Sequence, residues 1–446
     1  MERTILETIA EFCFSLDLKE VPSDVIRHAK VCVMDALECC LSSENDFRKE
    51  GAFNSFEKGC DRECTLFGTG ERSDAPDAAF YNTVSGAIAY RNDISIVGKG
   101  HPGSIAIPTV LAVAEKYGCD GKTALEAIII GYEVMIRFGA MLGDADFSYA
   151  FRPTAFVGPV GAAFAAAKVM GLSKEQTVSA ASLAFNCASG LNQWADDGTG
   201  EDVIQNGWGA KNGVVCAEMA KAGVLGAPNV IEGKFGFGKA FGVTDSLSIL
   251  TEKLGVEYYL KDTRFKQIPA CMNVQNAAQI ADYIAKQEGF DKNRVSSVLI
   301  EMTGGGKHWP NGDKKEVETL IHAAMSVPYT VAQTLIAGDC DKVLFAPPYS
   351  SETREMINRC EVVENPEFTR IQKQHQVIRV TVTQNDGRVF SEKRLDARTL
   401  TEEEAVDKFM ATVDRIYGNG KGKEFKNQLV ELESIGDVSS ILSNLR

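Results

Sequence analysis

The sequence predicts a mainly α-helical protein with a smaller α+β module towards its C-terminal end. Three observations predict it. Apolar residues recur at helical spacing from residue 4 to about residue 262. Strand-like patterns appear only later, at Val295–Met302 and His375–Gln384, where Asn385-Asp386-Gly387 is a hairpin turn leading into Arg388–Lys393. A helical pattern then returns at Glu402–Ile416, opened by the capping box Thr401-x-x-Glu404.

In order, residues 4–15 and 23–42 read as amphipathic helices, the second started by Ser23 and Asp24 after Pro22. Residues 45–75 are polar and Gly-rich around a short apolar stretch at Cys64-Thr65-Leu66-Phe67. Asp74–Tyr90 is an Ala-rich helix. Pro108–Tyr117 is expected to be another, ended by Gly118, and Thr123–Gly139 a third with Leu125, Ile128, Tyr132 and Ile136 on its apolar side. Gly158, Ala162, Ala163, Ala166 and Ala167 form a small-residue stripe that permits close helix packing. Ser173-x-x-Gln176 caps a helix running to about Ser189, and Gly207–Gly213 begins one ended by Gly223. In the second module helices are expected near 273–287, 314–337 and 351–360. The helix at 402–416 is expected to rejoin the first domain, giving boundaries of 1–262 with 400–446, and 263–399.

Length and composition bound the function. A chain of 446 residues, 44% apolar, has room for two or three domains and a large core. A net charge of -14 argues against nucleic acid and anionic membrane as partners, but not against an anionic small molecule in a local cationic pocket. No apolar run approaches the ~20 residues of a membrane span, and Glu2 and Arg3 are not followed by a signal core, so a cytosolic location is expected. The twelve cysteines include no C-x-x-C pair; several lie in apolar helical patterns and read as reduced thiols. Cys60 and Cys64 have no histidine nearby, which speaks against a zinc site or iron–sulfur cluster.

The most informative stretch runs from Asp93 to Ser104. It places an acid, Gly98, Lys99, Gly100 and His101 between two apolar, small-residue segments, where glycines let backbone approach a ligand and polar groups can converge. Of five histidines, His28, His322 and His375 read as packing or surface residues, and His101 is the best acid/base candidate. Basic residues recur at Lys99, Arg152, Lys211, Arg264 and Lys266. Arg152 and Lys266 stand out because proline and apolar neighbours favour partial burial, where an arginine can clamp a carboxylate and a lysine can serve as base. Gly304-Gly305-Gly306-Lys307-His308 lacks the Ser or Thr of a phosphate loop and reads as a hinge or lid tip; Gly236-Phe237-Gly238 lacks the third glycine of a dinucleotide fingerprint.

Several stretches, in order, resemble the MmgE/PrpD family. They are His101-Pro102-Gly103 with Pro108, Gly131-Tyr132-Glu133, Pro153-Thr154 followed by Gly158–Ala163, Ala188–Leu191, Gly207–Gly213, Phe265–Pro269 and Ser326–Tyr329. The resemblance implies a large helical domain built from both chain ends, an α+β lid domain, an active site between them, and a homodimer. It also implies no cofactor and no metal. The substrates are small di- or tricarboxylates, with chemistry at a proton on a carbon alpha to a carboxylate or imine. Carried over as catalytic are His101, Lys266, Tyr329 and Asp93. Lys99, Arg152, Tyr149 and Cys271 are expected to bind substrate. Arg152 and Cys271 stand where other members carry histidines, and Asp202 where many carry lysine, so substrate or reaction is expected to differ from the best-known members.

Three functions compete: a cofactor-independent lyase that dehydrates or decarboxylates such an acid, an epimerase of an amino- or imino-dicarboxylate, and a helical binding protein that has lost catalysis.

Overall fold

The computed structural model describes residues 3–43, 46–59, 61–143, 150–309, 312–442 and 445. The chain is mainly α-helical and divides into two compact units. The first takes in residues 1–191, 201–265 and 400–446, the second residues 192–200 and 266–399. Among the described residues no helix is long and apolar enough to cross a membrane.

The first unit begins with α1 (Ile5–Ser15), α2 (Ser23–Ser42), α3 (Phe47–Asn54) and α4 (Ala75–Ile88). It continues with α5 (Gly103–Tyr117), α6 (Gly121–Leu142), α7 (Pro153–Val169) and α8 (Lys174–Phe185). The short α9 (Gln193–Asp197) belongs to the second unit, and the first resumes with α10 (Asp202–Lys221) and α11 (Phe237–Ala240). The capping box expected at Ser173 and Gln176 is present. Helix α7 is buried from Pro153 to Ala167, and its small residues let α6 and α10 approach. At Gly213 of α10 the approach is so close that a Cβ would lie 2.3 Å from that of Ala162.

Helix α5 corrects one expectation. It starts at Gly103, five residues before Pro108, which lies inside the helix. Proline removes one backbone hydrogen bond there, yet every residue from Gly103 to Ala114 is buried, so packing outweighs that local loss.

Two short antiparallel ladders complete this unit: β1 (Cys64–Thr65) with β2 (Arg72–Ser73), and β3 (Ile94–Ser95) with β4 (Thr263–Arg264).

The second unit contains α12 (Met272–Ala285) and a four-stranded sheet of β5 (Val295–Met302), β6 (Cys360–Glu364), β7 (Ile378–Gln384) and β8 (Val389–Arg394) in the order β6-β5-β7-β8. Strand β6 runs parallel to β5, and β7 is antiparallel to both β5 and β8. The β7–β8 hairpin turns through Asn385-Asp386-Gly387, with Gly387 at φ +85°. Alternate residues of β7 are buried, and Val380 and Val382 join Val298, Ile300, Val274 and Val331 in one core. Helices α13 (Gly304–His308), α14 (Leu320–Met325), α15 (Val327–Ala337), α16 (Ser351–Asn358) and α17 (Pro366–Thr369) surround it. Residues 314–319 are not helical, because Thr319 caps α14 and Ser326 caps α15 with side-chain acceptors. The triple glycine forms the turn of α13, with Gly304 and Gly306 buried, rather than a hinge or lid tip.

The chain ends in the first unit with α18 (Glu402–Tyr417), α19 (Lys421–Val430) and α20 (Ser439–Leu442). Helix α18 carries the expected Thr401/Glu404 capping box and packs on α2. A buried charge cluster joins them. Lys408 Nζ lies 2.7 Å from Asp35 Oδ1 and 3.2 Å from Glu38 Oε2, and Arg91 lies 2.7 Å from Glu38 Oε1. Burial pushes the Asp35 carboxyl above its usual range, opposed by Lys408. Lys408→Met is therefore expected to cost about 3 kcal/mol in urea unfolding at pH 7, since it leaves Asp35 and Glu38 short of countercharge. The cost should shrink as the pH is lowered, since the Asp35 carboxyl, held above its usual range by burial, then takes up a proton. An unchanged urea midpoint at pH 7 would show that the cluster holds nothing together.

Candidate active site

His101 sits between β3 and α5, and its ring is fixed through Asp93. The imidazole Nδ1 lies 2.6 Å from the Asp93 backbone carbonyl, so a proton on Nδ1 donates to it. The backbone N–H of His101 donates to Thr154 Oγ1 at 3.0 Å, and Ser104 Oγ donates to the His101 carbonyl at 2.7 Å. His101 is half-buried, whereas Asp93 is buried.

Asp93 is expected among the reacting groups, but the structure engages both of its carboxylate oxygens elsewhere. The Tyr132 hydroxyl of α6 donates to Oδ2 at 2.6 Å, and the Gly103 N–H donates to Oδ1 at 3.2 Å. Gly103 is required here, because a Cβ would lie 2.2 Å from the Tyr132 oxygen and 2.6 Å from Asp93 Oδ2. Asp93 is thus a clip that holds the start of α5 and the histidine ring. Burial, and then the Asp93 charge, push the Tyr132 hydroxyl well above its usual range, so it stays a donor.

The loop itself is tight. Ser95 N–H donates to the Gly100 carbonyl at 2.9 Å, and Gly98 N–H to Ser95 Oγ at 2.9 Å. Lys99 takes a positive φ of 51°, and its ammonium donates to the Gly143 carbonyl at 2.7 Å, capping the end of α6. Lys99 is therefore engaged with the scaffold, where substrate contact was expected. A water-sized cavity of about 10 Å³ lies behind the loop, bordered by His101, Thr154, Met135 and Ile136.

Arg152 precedes Pro153 at the start of α7. Its Nη1 donates to the Asp202 carbonyl at 2.5 Å and to Asn206 Oδ1 at 2.7 Å, and its Nη2 lies 3.5 Å from Asp202 Oδ2. Asp202 also accepts from the Tyr90 hydroxyl at 3.0 Å, and Arg48 donates to the same hydroxyl at 2.8 Å. Burial pushes the Asp202 carboxyl up, against the Arg152 and Arg48 charges that favour its ionised form. Arg152, expected to clamp substrate, already has an internal carboxylate as counterion.

In the second unit Lys266 is buried, with 3% of its surface exposed. Cys271 caps the start of α12 and is half-buried, its N–H donating to the Ala324 carbonyl at 2.9 Å. Tyr329 is fully buried, and its hydroxyl donates to the Leu344 carbonyl. Its ring stands edge-on to Tyr349 at 4.9 Å. Burial pushes the Tyr329 hydroxyl upward, which suits a donor. Tyr149 lies outside the described residues.

An open cavity of about 650 Å³ lies in the second unit, where Lys307, His308 and Lys314 line it with Asp196, Asp313 and Glu316. Neither Lys266 nor Tyr329 lines it. Among the described residues, Asp282, Asp339 and Cys340 are close enough to share a metal ion, but Lys286 already lies 2.7 Å from Asp282 Oδ1. They give no independent sign of a ligand.

The profile of the MmgE/PrpD N-terminal domain matches residues 7–249, and that of the C-terminal domain residues 268–433. The chain belongs to the MmgE/PrpD family. Similar proteins include the cis-aconitate decarboxylase-like protein oryM of Aspergillus oryzae, 24% identical over 476 residues that cover 99% of this chain and 97% of that protein. Cis-aconitate decarboxylase of Aspergillus terreus is 24% identical over 474 residues, 98% of this chain and 95% of the other. The Homo sapiens enzyme of that name is 24% identical over 369 residues, 78% and 74% of the two chains.

Within this MmgE/PrpD chain two of the departures noted in sequence, Arg152 and Asp202, are contact partners, so they form one altered feature rather than two. Tyr132 and Asn206 contact candidate residues, Asp93 and Arg152, in a way the sequence did not reveal. Tyr132 stands in the Gly131-Tyr132-Glu133 stretch, where the apolar side of the helix masks its polar end; nothing in the sequence pairs Asn206 with Arg152.

Tyr132→Phe is expected to remove about 1–2 kcal/mol of stability in urea, because it strips a buried carboxylate of its donor. Gly103→Ala should cost more, since it breaks the same clip by steric overlap. Equal urea midpoints for wild type and both variants would show that Asp93 is not under this constraint.

Proposed function

We propose that the chain is a cofactor-independent lyase acting on a small di- or tricarboxylate, removing water or carbon dioxide by proton transfer alpha to a carboxylate. The observation that carries the reading is the 2.6 Å contact of His101 Nδ1 with the Asp93 carbonyl. A neutral imidazole held this way keeps its proton on Nδ1 and presents Nε2 as a proton acceptor. Membership of the family, and relatives whose names specify cis-aconitate decarboxylation, support the reaction class.

The chemistry needs three things. A base must take or return a proton at carbon, and fixed positive charge must meet the charge that develops on the neighbouring carboxylate. A donor must also serve the leaving group or the new C–H bond. His101 and Lys266 are assigned the first two, in either order. A buried ammonium is a strong partner for a carboxylate in low dielectric. Tyr329, a buried hydroxyl, is assigned the donor role. Asp93 acts on the reaction only by positioning His101.

An epimerase is the second reading. It is favoured by the engagement of Arg152 with Asp202 and Asn206, which leaves its charge balanced within the protein, and by Cys271 at a position where a histidine was expected from the resemblance.

The deciding experiment incubates the protein in D₂O with cis-aconitate, citrate-like acids and amino-dicarboxylates, followed by proton NMR. A lyase consumes one of these acids with loss of carbon dioxide or water; an epimerase places deuterium at carbon without either loss. No turnover and no exchange with any of them would leave the binding-protein reading standing. With the active compound, Lys266→Ala and His101→Asn are each expected to lower kcat by about two orders of magnitude or more while the circular dichroism spectrum is retained. Unchanged turnover would remove the residue from the mechanism.

A further inference from the structure

The chain leaves the first unit after Phe265 and returns to it at Leu400. Within that unit the two residues are paired. The Leu400 N–H donates to the Phe265 carbonyl at 2.9 Å, in an antiparallel bridge. The segment that ends in Phe265 is held on two further sides. Strand β4 pairs with β3 in the His101 loop, and Lys261 pairs with Asp24 at the start of α2. His28 stands one turn after Asp24 on α2, on the same face of the helix.

His28 closes the arrangement. Its ring centroid lies 5.3 Å from that of the buried Phe265, with the two planes inclined at 38°. Its Nδ1 lies 2.9 Å from Glu402 Oε1, in the first turn of α18 and two residues after Leu400. The residue is 8% exposed, and its Nε2 is buried with no hydrogen-bond partner among the described residues. One side chain thus touches Phe265 and the helix start that follows Leu400.

We propose that His28 is a positioning residue for Lys266, bracing Phe265 against Glu402 so that the backbone entering Lys266 is fixed. This rests on the lyase reading above, in which Lys266 acts on the substrate.

The chemistry of the bracket supports it. Against burial, hydrogen bonds from His28 and from Arg27, whose Nε lies 2.9 Å from Oε2, hold the Glu402 carboxyl below its usual range. An ionised carboxylate only accepts, so the His28 Nδ1–H donates to it and the tautomer is set. The orphaned Nε2 is a cost that a purely packing side chain would avoid at this position. What the histidine adds is a flat ring for Phe265 and a directed donor for Glu402 on one side chain. A ring held at one edge by a hydrogen bond does not rotate away from its neighbour. Such fixation matters next to a reacting group, where a displacement of about 1 Å costs on the order of 100-fold in rate.

The test uses the full chain and the variants His28→Ala, Glu402→Ala and Glu402→Gln. Brief acetylation with acetic anhydride, read by mass spectrometry, reports how readily the Lys266 amine is reached. Hydrogen–deuterium exchange reports the amides of residues 261–268 and 400. In His28→Ala and Glu402→Ala both rates are expected to rise about tenfold, while exchange in α6 and α7 keeps the wild-type rate. Glu402→Gln retains an acceptor for the Nδ1–H and is expected to restore both rates to within about twofold of wild type. With a compound that is turned over, His28→Ala should lower kcat about tenfold and leave KM within about twofold, as loss of a positioning contact requires. Wild-type acetylation and exchange in His28→Ala would overturn the proposal. So would faster exchange throughout α6 and α7, the mark of general loosening, or equal effects of Glu402→Gln and Glu402→Ala. Acetylation and exchange need no substrate, so they decide the proposal separately from the lyase reading, which an absence of turnover with every acid would sink. The Glu402 variants probe the same bracket if His28→Ala fails to fold.

Discussion

The site in the first unit depends on one buried carboxylate. Asp93 receives a hydroxyl proton from Tyr132 of α6 and a backbone N–H from the first residue of α5, while its own carbonyl faces the His101 ring. An aspartate taken out of water is costly unless its oxygens are hydrogen-bonded, and here both are. The donors come from separate helices, so the carboxylate is satisfied only when α5, α6 and the loop between β3 and α5 are assembled. The ring orientation follows from that assembly, not from a rotamer preference of the histidine. The same loop is tied on its other side by the β3–β4 ladder, whose last residue, Arg264, stands two residues before Lys266 in the chain.

The charges around this loop are balanced internally. Arg152 faces Asp202 and Asn206, Arg91 faces Glu38, and the Lys99 ammonium caps the last turn of α6. Around this loop, a chain with net charge -14 thus sets its cations against its own buried acids and a helix end. In the proposed reaction this places the heavier demand for positive charge on Lys266.

Much of the architecture was legible in sequence because it rests on periodicity and local chemistry. The capping boxes at Ser173 and Thr401, the hairpin at Asn385–Gly387 and the strand at Val295–Met302 all appear where local signals place them. The failures are tertiary. Proline 108 looks like a helix start, yet burial on all sides carries α5 five residues further towards its N-terminus. Three successive glycines look flexible, yet Thr303 caps them into a helical turn. His101 stands out in sequence because of its loop, but the contacts of its neighbours do not. An acid beside a candidate base reads as a reactant until the donors on α5 and α6 are seen to occupy it. Likewise no local pattern announces that Arg152 meets Asp202, because the contact is made by helix packing across a long stretch of chain.

The central claim is that the Asp93 carbonyl fixes the proton of neutral His101 on Nδ1 and leaves Nε2 as the working nitrogen. Nitrogen-15 NMR of the imidazole side chains, with His101 assigned by comparison with His101→Asn, measures this directly above the ring's titration. The account predicts a protonated-type Nδ1 resonance and an unprotonated-type Nε2 resonance. The reverse tautomer, or an averaged pair of shifts from a ring exchanging between the two, would contradict it.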